Sequence, residues 1–289
     1  MTAEARALRP GELVAELQIN AVLGRNSRDV SYLVTDPALG TQFVLREYLP
    51  SALVRRDERN TLIPVDGPSL QLFNNGLKSF LDEARLAATL DHPNLARVLR
   101  YFETNGTAYF LMPYYKGETL KAKLGSGDKL DREQAKALLL PLMDGLAQLH
   151  ASGIIHQAIC PSNIMLEDNQ NPVLLDFRQA AGISGDSSLE QAMEASACTA
   201  PEQLDNQGSV GPWTDIYAFA ACLYEATRGE APPSASRRSA AVAQGEPDPL
   251  APISSLDDSA RLGALGDTID QGLLLDFQQR PKEIGRAHV

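Results

Sequence analysis

The chain has 289 residues, enough to bury a stable core without staples and enough for one or two domains. It is 44% hydrophobic and 22% charged, with a net charge of −11, which argues against nucleic acid or an anionic membrane as a partner, since both need a basic footprint. Cys160, Cys198 and Cys222 form no C-x-x-C pair, so neither a zinc site nor a disulfide framework is expected. The odd cysteine count and the lack of a leader pattern point to a reducing, cytoplasmic setting, and no run of about 18 apolar residues predicts a membrane span.

In chain order, residues 1–12 (MTAEARALRPGE) read as a frayed lead-in. VAELQINAVLG, VSYLVTD and TQFVLREYL follow as short β-rich runs broken by turn residues such as PALG, the pattern of an antiparallel meander. RRDERNTLIPVDGPS, rich in charge and breakers, is expected to be a loop. In LQLFNNGLKSFLDEARLAATL the residues Phe80, Leu81, Ala84, Ala87 and Ala88 recur near helical spacing, and His92-Pro93-Asn94 ends the helix. LARVLRYFE and TAYFLMPYY, joined by Thr104-Asn105-Gly106, predict a hairpin. From about residue 117 the character becomes helical. DREQAKALLLPLMDGLAQLHASG carries a leucine face from Leu138 to Leu149, an Asp131/Gln134 capping pattern, and Pro141 as a tolerated kink. WTDIYAFAACLYEATRG is apolar nearly all round, as a buried helix is. ALGDTIDQGLLLDFQQRP is a third helix, and APPSASRRSAAVAQGEPDPLAP before it reads as a loop or poorly ordered insert.

IIHQAICPSNIML (residues 154–166) has the frame H-R-D-x-K-P-x-N, VLLDFRQA follows as D-F-G, and CTAPEQ as A-P-E. With WTDIYAFAACLYEATRGEAPP, the run from Phe80 to Leu120 and EYLPSALVRRD, these motifs resemble the protein kinase family, in particular a bacterial serine/threonine kinase subgroup. The resemblance covers roughly residues 12–285. It implies an α+β, two-lobed protein kinase-like fold: a β-rich N-lobe with an αC helix, a mainly helical C-lobe, and a nucleotide cleft between them. The implied boundaries are a lead-in over 1–12 and a kinase-like domain over 13–289, with N-lobe 13–112, hinge 113–117 and C-lobe 118–289.

The resemblance also assigns positions. Gly24, Asn26 and Asp29 fall on the three glycines of the phosphate-covering loop. Asp29 sets a carboxylate against phosphate there, a repulsion of about 1 kcal/mol or more that Arg25 and Arg28 offset. The alternative is an ordinary solvated hairpin. Arg46 stands for the phosphate-holding lysine and Glu83 for its helix partner, where a structural ion pair competes with phosphate contact as the role. Gly24, Val30, Val44, Arg46, Glu83, Met112 and Tyr115 form the implied nucleotide set, with Pro113 beside Tyr115 in the hinge. Asn163 and Asp176 stand for the metal ligands, oxygen donors suited to a hard cation; otherwise Asn163 caps the local loop and Asp176 is a solvated carboxylate. Arg178 is expected over Asp176, neutralising it.

Ala158 occupies the base position, Cys160 the phosphate-neutralising lysine, and Ala195 the threonine that bridges those two. Gln157 replaces the arginine that reads an activation-loop phosphate. His156, Phe177, Glu202, Asp215 and Arg280 match scaffold positions. The implied function is a degenerate member, a pseudokinase: a binding, scaffold or allosteric regulatory domain with phosphotransfer lost or severely impaired. Its partner would be an active kinase, a phosphatase or another signalling protein. The alternative is an atypical ATP-dependent serine/threonine kinase or nucleotidyl transferase, holding ATP weakly with Mg2+ or Mn2+. The domain is also compatible with a regulatory piece of a longer polypeptide.

Overall fold

The computed structural model describes residues 5–176, 196–205, 208–255 and 262–284. The chain divides into two compact units. One takes residues up to His92 together with Ala96–Tyr115, and the other takes Pro93–Leu95 together with the residues from Lys116 onward.

The first unit runs β1 (Leu13–Val14), β2 (Leu17–Arg25), β3 (Asp29–Asp36), β4 (Thr41–Tyr48), β5 (Val54–Arg56), β6 (Leu62–Pro64), α1 (Gly67–Ala88), β7 (Arg100–Thr104) and β8 (Thr107–Pro113). Six strands make one antiparallel sheet in the order β1-β2-β3-β4-β8-β7, and β5 pairs with β6 alone. Alternation drives it: Val30, Tyr32 and Val34 of β3 are buried in turn. The β7–β8 turn has Asn105 and Gly106 at φ 53° and 68°, which are the residues that tolerate such a turn. Asp66 caps α1 by accepting from the Ser69 amide, and Pro68 lies in the first turn, so the helix begins inside the stretch read as breakers. Its apolar side packs on the sheet, where the Phe80 ring lies 5.6 Å from Tyr48 and 4.8 Å from Phe110.

Two expectations fail in this unit. The charged stretch after Val54 is a hairpin, β5–β6, rather than a loop. Its anchor is Glu47, which is fully buried and accepts from Tyr32 Oη (2.7 Å), Tyr109 Oη (2.6 Å) and Arg56 Nη2 (2.8 Å). Arg56 also donates to the carbonyls of Arg6 and Asn60. The same cluster holds the lead-in. The Leu8 amide donates to Tyr32 Oη, Arg6 pairs with Glu12 at 3.0 Å, and Ala5 and Leu8 are buried rather than frayed.

The second unit runs β9 (Gly117–Thr119), α2 (Leu120–Gly125), α3 (Arg132–Ala151), a 3-10 turn (Pro161–Asn163), β10 (Ile164–Glu167), β11 (Pro172–Leu174), α4 (Pro201–Leu204), α5 (Pro212–Arg228), α6 (Ala235–Ala243), a second 3-10 turn (Ile253–Ser255) and α7 (Ala264–Gly272). The three strands pair in the order β11-β10-β9. Gly117 has φ 151°, and a Cβ there would lie 1.9 Å from the Leu166 carbonyl oxygen. The Asp131/Gln134 capping box starts α3, Pro141 sits inside the helix, and Leu138, Leu139, Leu142, Leu146 and Leu149 are buried. Helix α5 is buried on nearly every side.

The segment 231–252, expected to be a loop or insert, contains α6. Ser234 caps it, and the buried Arg238 forks onto Asp248 at 3.0 and 2.8 Å while donating to the Leu273 carbonyl. Helix α7 ends at Gly272, short of the predicted Pro281, because the carbonyls of Leu274 and Leu275 turn toward the Arg280 guanidinium. Among the described residues no helix is long and apolar enough to cross a membrane.

Candidate functional site

In the first unit the β3–β4–β8 register decides which residues share a face. Ser31 lies opposite Arg46, Leu33 opposite Val44, and Phe110 and Met112 opposite Arg46 and Val44 on the other side. Side chains alternate, so Asp29, Ser31, Val44, Arg46 and Met112 project to the face that α1 covers. Val30 is a correction: it lies opposite Glu47, one residue out of phase, and so projects to the other face. Ser31 occupies the shared face in its place. Gly24, next to last in β2, lies opposite Ser31, and Tyr115 Oη accepts from the Arg97 amide at 3.3 Å.

Arg46 meets Glu83 through Nη1 at 3.6 Å, but its tighter partner is Asp29. Arg46 Nε and Nη2 each lie 3.0 Å from a different Asp29 oxygen, a bidentate fork. Arg28 reaches Glu83 at 2.7 Å and Asp29 at 3.5 Å. Asp29 and Arg46 are each 3% exposed. The turn that carries Asp29 is closed by Asn26, whose Oδ1 accepts from the amides of Arg28 (2.8 Å) and Asp29 (2.9 Å) and whose Nδ2 donates to Asp29 Oδ1. Burial pushes the Asp29 carboxyl upward, but the Arg46 and Arg28 guanidiniums and the Asn26 amide outweigh it and hold the group below the usual carboxylate range. The solvated hairpin is therefore corrected to a buried ion cluster of two guanidiniums and two carboxylates. Arg25 donates to the Ala5 carbonyl at 3.0 Å.

In the second unit Asp215, fully buried at the start of α5, organises the loop after α3. Its carboxylate accepts from the amides of His156 and Gln157 and meets His150 Nε2, each at 2.8 Å. Gln157 takes φ 62°, and its carbonyl accepts from Gln203 Nε2 at 3.0 Å. The Ala158 amide donates to His156 Nδ1 at 3.2 Å, which assigns the proton of that imidazole to Nε2. Burial also lowers the pKa of His156, against the charges of Asp215 and Asp176. Cys160 is half-buried, with Sγ 3.7 Å from Ser162 Oγ, and burial pushes its thiol up.

Asn163 donates through Nδ2 to the Ala158 carbonyl at 2.8 Å, and the Leu175 amide donates to the Asn163 carbonyl at 2.7 Å. Since Ile164 lies opposite Leu174, Asn163 and Asp176 flank the same end of the β10–β11 ribbon. Asp176 holds φ 55°, a conformation that asparagine and aspartate reach more readily than most residues. Glu202 and Arg280 form a second bidentate pair, at 2.8 and 2.9 Å, and Thr214 Oγ1 adds a hydrogen bond to Glu202. Phe177, Arg178 and Ala195 lie outside the described residues.

Residues 69–256 match the protein kinase domain model. The chain belongs to the protein kinase domain family. Its kinase fold is similar to the apo form of PpkA, with a TM-score of 0.79 and 32% identity over 96% of each chain. It is also similar to a probable serine/threonine-protein kinase of Streptomyces coelicolor, with 29% identity over 225 residues that make up 75% of this chain and 30% of that protein. The serine/threonine-protein kinase ppk25 of Schizosaccharomyces pombe is 30% identical over 52% of this chain and 36% of that protein. Sperm motility kinase 2B of Mus musculus is 27% identical over 53% of this chain and 31% of that protein. The chain thus spans about a third of the length of these curated kinases.

A kinase of this family implies ATP and a divalent cation, and the two units fit that pair unequally. In the second unit the Asn163 side-chain oxygen and the Asp176 carboxylate are hard donors at one ribbon end, of the kind Mg2+ or Mn2+ takes. In the first unit the Arg46 guanidinium, expected beside phosphate, already forks onto a buried carboxylate. The residues there do not fit a polyphosphate without displacing Asp29. Sequence reasoning missed Asn26 as the organiser of this turn and Ser31 as a member of the face. The short Asn-x-Arg-Asp spacing was the one available signal for the turn.

Proposed function

We propose that this kinase-family chain is a pseudokinase, a binding or allosteric regulatory domain whose protein partner is another signalling protein. Ala158 is the observation that carries the reading. The backbone around it is held from several sides: Asp215 fixes His156 and Gln157, His156 accepts the Ala158 amide, and Asn163 donates to its carbonyl. At the centre of that frame is a methyl group, which neither orients nor deprotonates a hydroxyl. Two residues on, Cys160 offers a thiol that burial keeps protonated where the family expects a cation. Ala195, by its sequence position, removes the third member of the same set.

The test is phosphate incorporation from labelled ATP, with Mg2+ or Mn2+, into the chain itself and into generic protein substrates. Incorporation is expected to equal that of an Asp176→Ala variant. Wild-type incorporation clearly above that variant would overturn the proposal.

The pairing of Asn163 and Asp176 at one ribbon end favours a second reading, an atypical kinase or nucleotidyl transferase. Loss of a base costs about 10²–10⁴-fold in rate, which leaves room for slow chemistry. A metal-dependent rise in melting temperature with ATP would support it. At 100 times its dissociation constant a ligand adds about 2.7 kcal/mol of stability.

A further inference from the structure

We propose that the Arg46 and Arg28 guanidiniums form an anion-binding site suited to a phosphate ester or polyphosphate, and that the chain fills this site with its own Asp29 carboxylate. The fork that Arg46 makes, Nε and Nη2 each 3.0 Å from separate oxygens, is the geometry guanidinium offers to carboxylate and phosphate alike. Register delivers the carboxylate: Asp29 is two residues from Ser31, which lies opposite Arg46, so both side chains project to one face. The Asn26 turn then fixes it, since Asn26 bonds both the Asp29 amide and the Asp29 carboxylate.

Charge completes the cluster. Two guanidiniums face two carboxylates, Asp29 and Glu83, at 3% and 6% exposure. An incoming phosphate must displace Asp29, stranding a buried carboxylate, or sit beside it against like charge. Asp29→Asn keeps the volume and removes one negative charge. That frees the Arg46 fork, Nε and Nη2, from a carboxylate charge and leaves it open to an anion.

The inference rests on the reading above only in expecting phosphate beside Arg46. It is tested by binding, so that failure of one is distinguishable from failure of the other. The full chain is titrated calorimetrically with tripolyphosphate, ATP and adenosine, with and without Mg2+. Wild type is expected to show no saturable tripolyphosphate binding and no preference for ATP over adenosine beyond about twofold. Asp29→Asn is expected to bind tripolyphosphate and to prefer ATP over adenosine by about tenfold or more, and adding Arg46→Met should remove that gain. A wild type that already shows the tenfold preference, or a folded Asp29→Asn variant that gains none, overturns the proposal. So does a gain that survives Arg46→Met. Should Asp29→Asn not fold, the wild-type titration and Asp29→Glu decide it. The longer carboxylate keeps the charge and should stay blind to phosphate, and phosphate affinity in that variant overturns the proposal.

Discussion

Asp29 has a native pKa below its ordinary value, because the attraction of Arg46 and Arg28 outweighs the cost of burying the carboxylate. A group depressed on folding contributes stability above its unfolded pKa and loses it as pH falls through the folded value. The wild-type melting temperature should therefore drop steeply below about pH 4, near the unfolded aspartate value. Asp29→Asn, which carries no proton to gain, should show a shallower drop over the same range. Calorimetric melting from pH 6 to pH 2 checks this, and parallel curves would refute it. At this scale the sequence was readable where a motif names a position. Glu202, Asp215 and Arg280 were all singled out as scaffold positions, and the buried Glu202–Arg280 fork and the Asp215 carboxylate lie where those residues were named. It was misread at Val30, because a shift of one residue along a strand exchanges the two faces of a sheet. It was incomplete at Arg46, since the Glu83 partner was anticipated and the closer Asp29 partner was not.

Elements with local signals were the legible ones. The Asp131/Gln134 box, the Asn-Gly turn and the all-round apolar α5 each depend on residues within a few positions of one another. Elements held by distant partners were not. The β5–β6 hairpin hangs on Arg56 reaching Glu47 in β4, and α6 on Arg238 reaching Asp248 and the Leu273 carbonyl. Glu47 is fully buried, and its loss would leave Arg56 and the hydroxyls of Tyr32 and Tyr109 without their shared acceptor. Glu47→Ala is expected to cost about 3–5 kcal/mol, the range for removing one partner of a buried ion pair. Denaturant unfolding would measure it. Hydrogen exchange should show residues 54–64 losing protection before α3 does, and a change below 1 kcal/mol would sink the assignment of Glu47 as the anchor.

Among the described residues each unit carries a buried ion cluster, Asp29–Arg46–Arg28–Glu83 in the first and Glu202–Arg280 in the second. Stability losses from Asp29→Asn and Arg280→Met should therefore add to within about 0.5 kcal/mol in the double variant. A coupling well beyond that, measured by denaturant titration, would mean the clusters are linked energetically. Kinase-family membership, the N-terminal meander, the helices α1, α3 and α5, and the methyl at position 158 were determined by sequence alone, because each is carried by residue identity or by patterns a few residues long. The occupation of Arg46 by Asp29, the Glu47 anchor and the α6 ion pair were decided only by tertiary structure. Those partners lie 9 to 62 residues apart, and strand register and burial, rather than local preference, choose which charges meet.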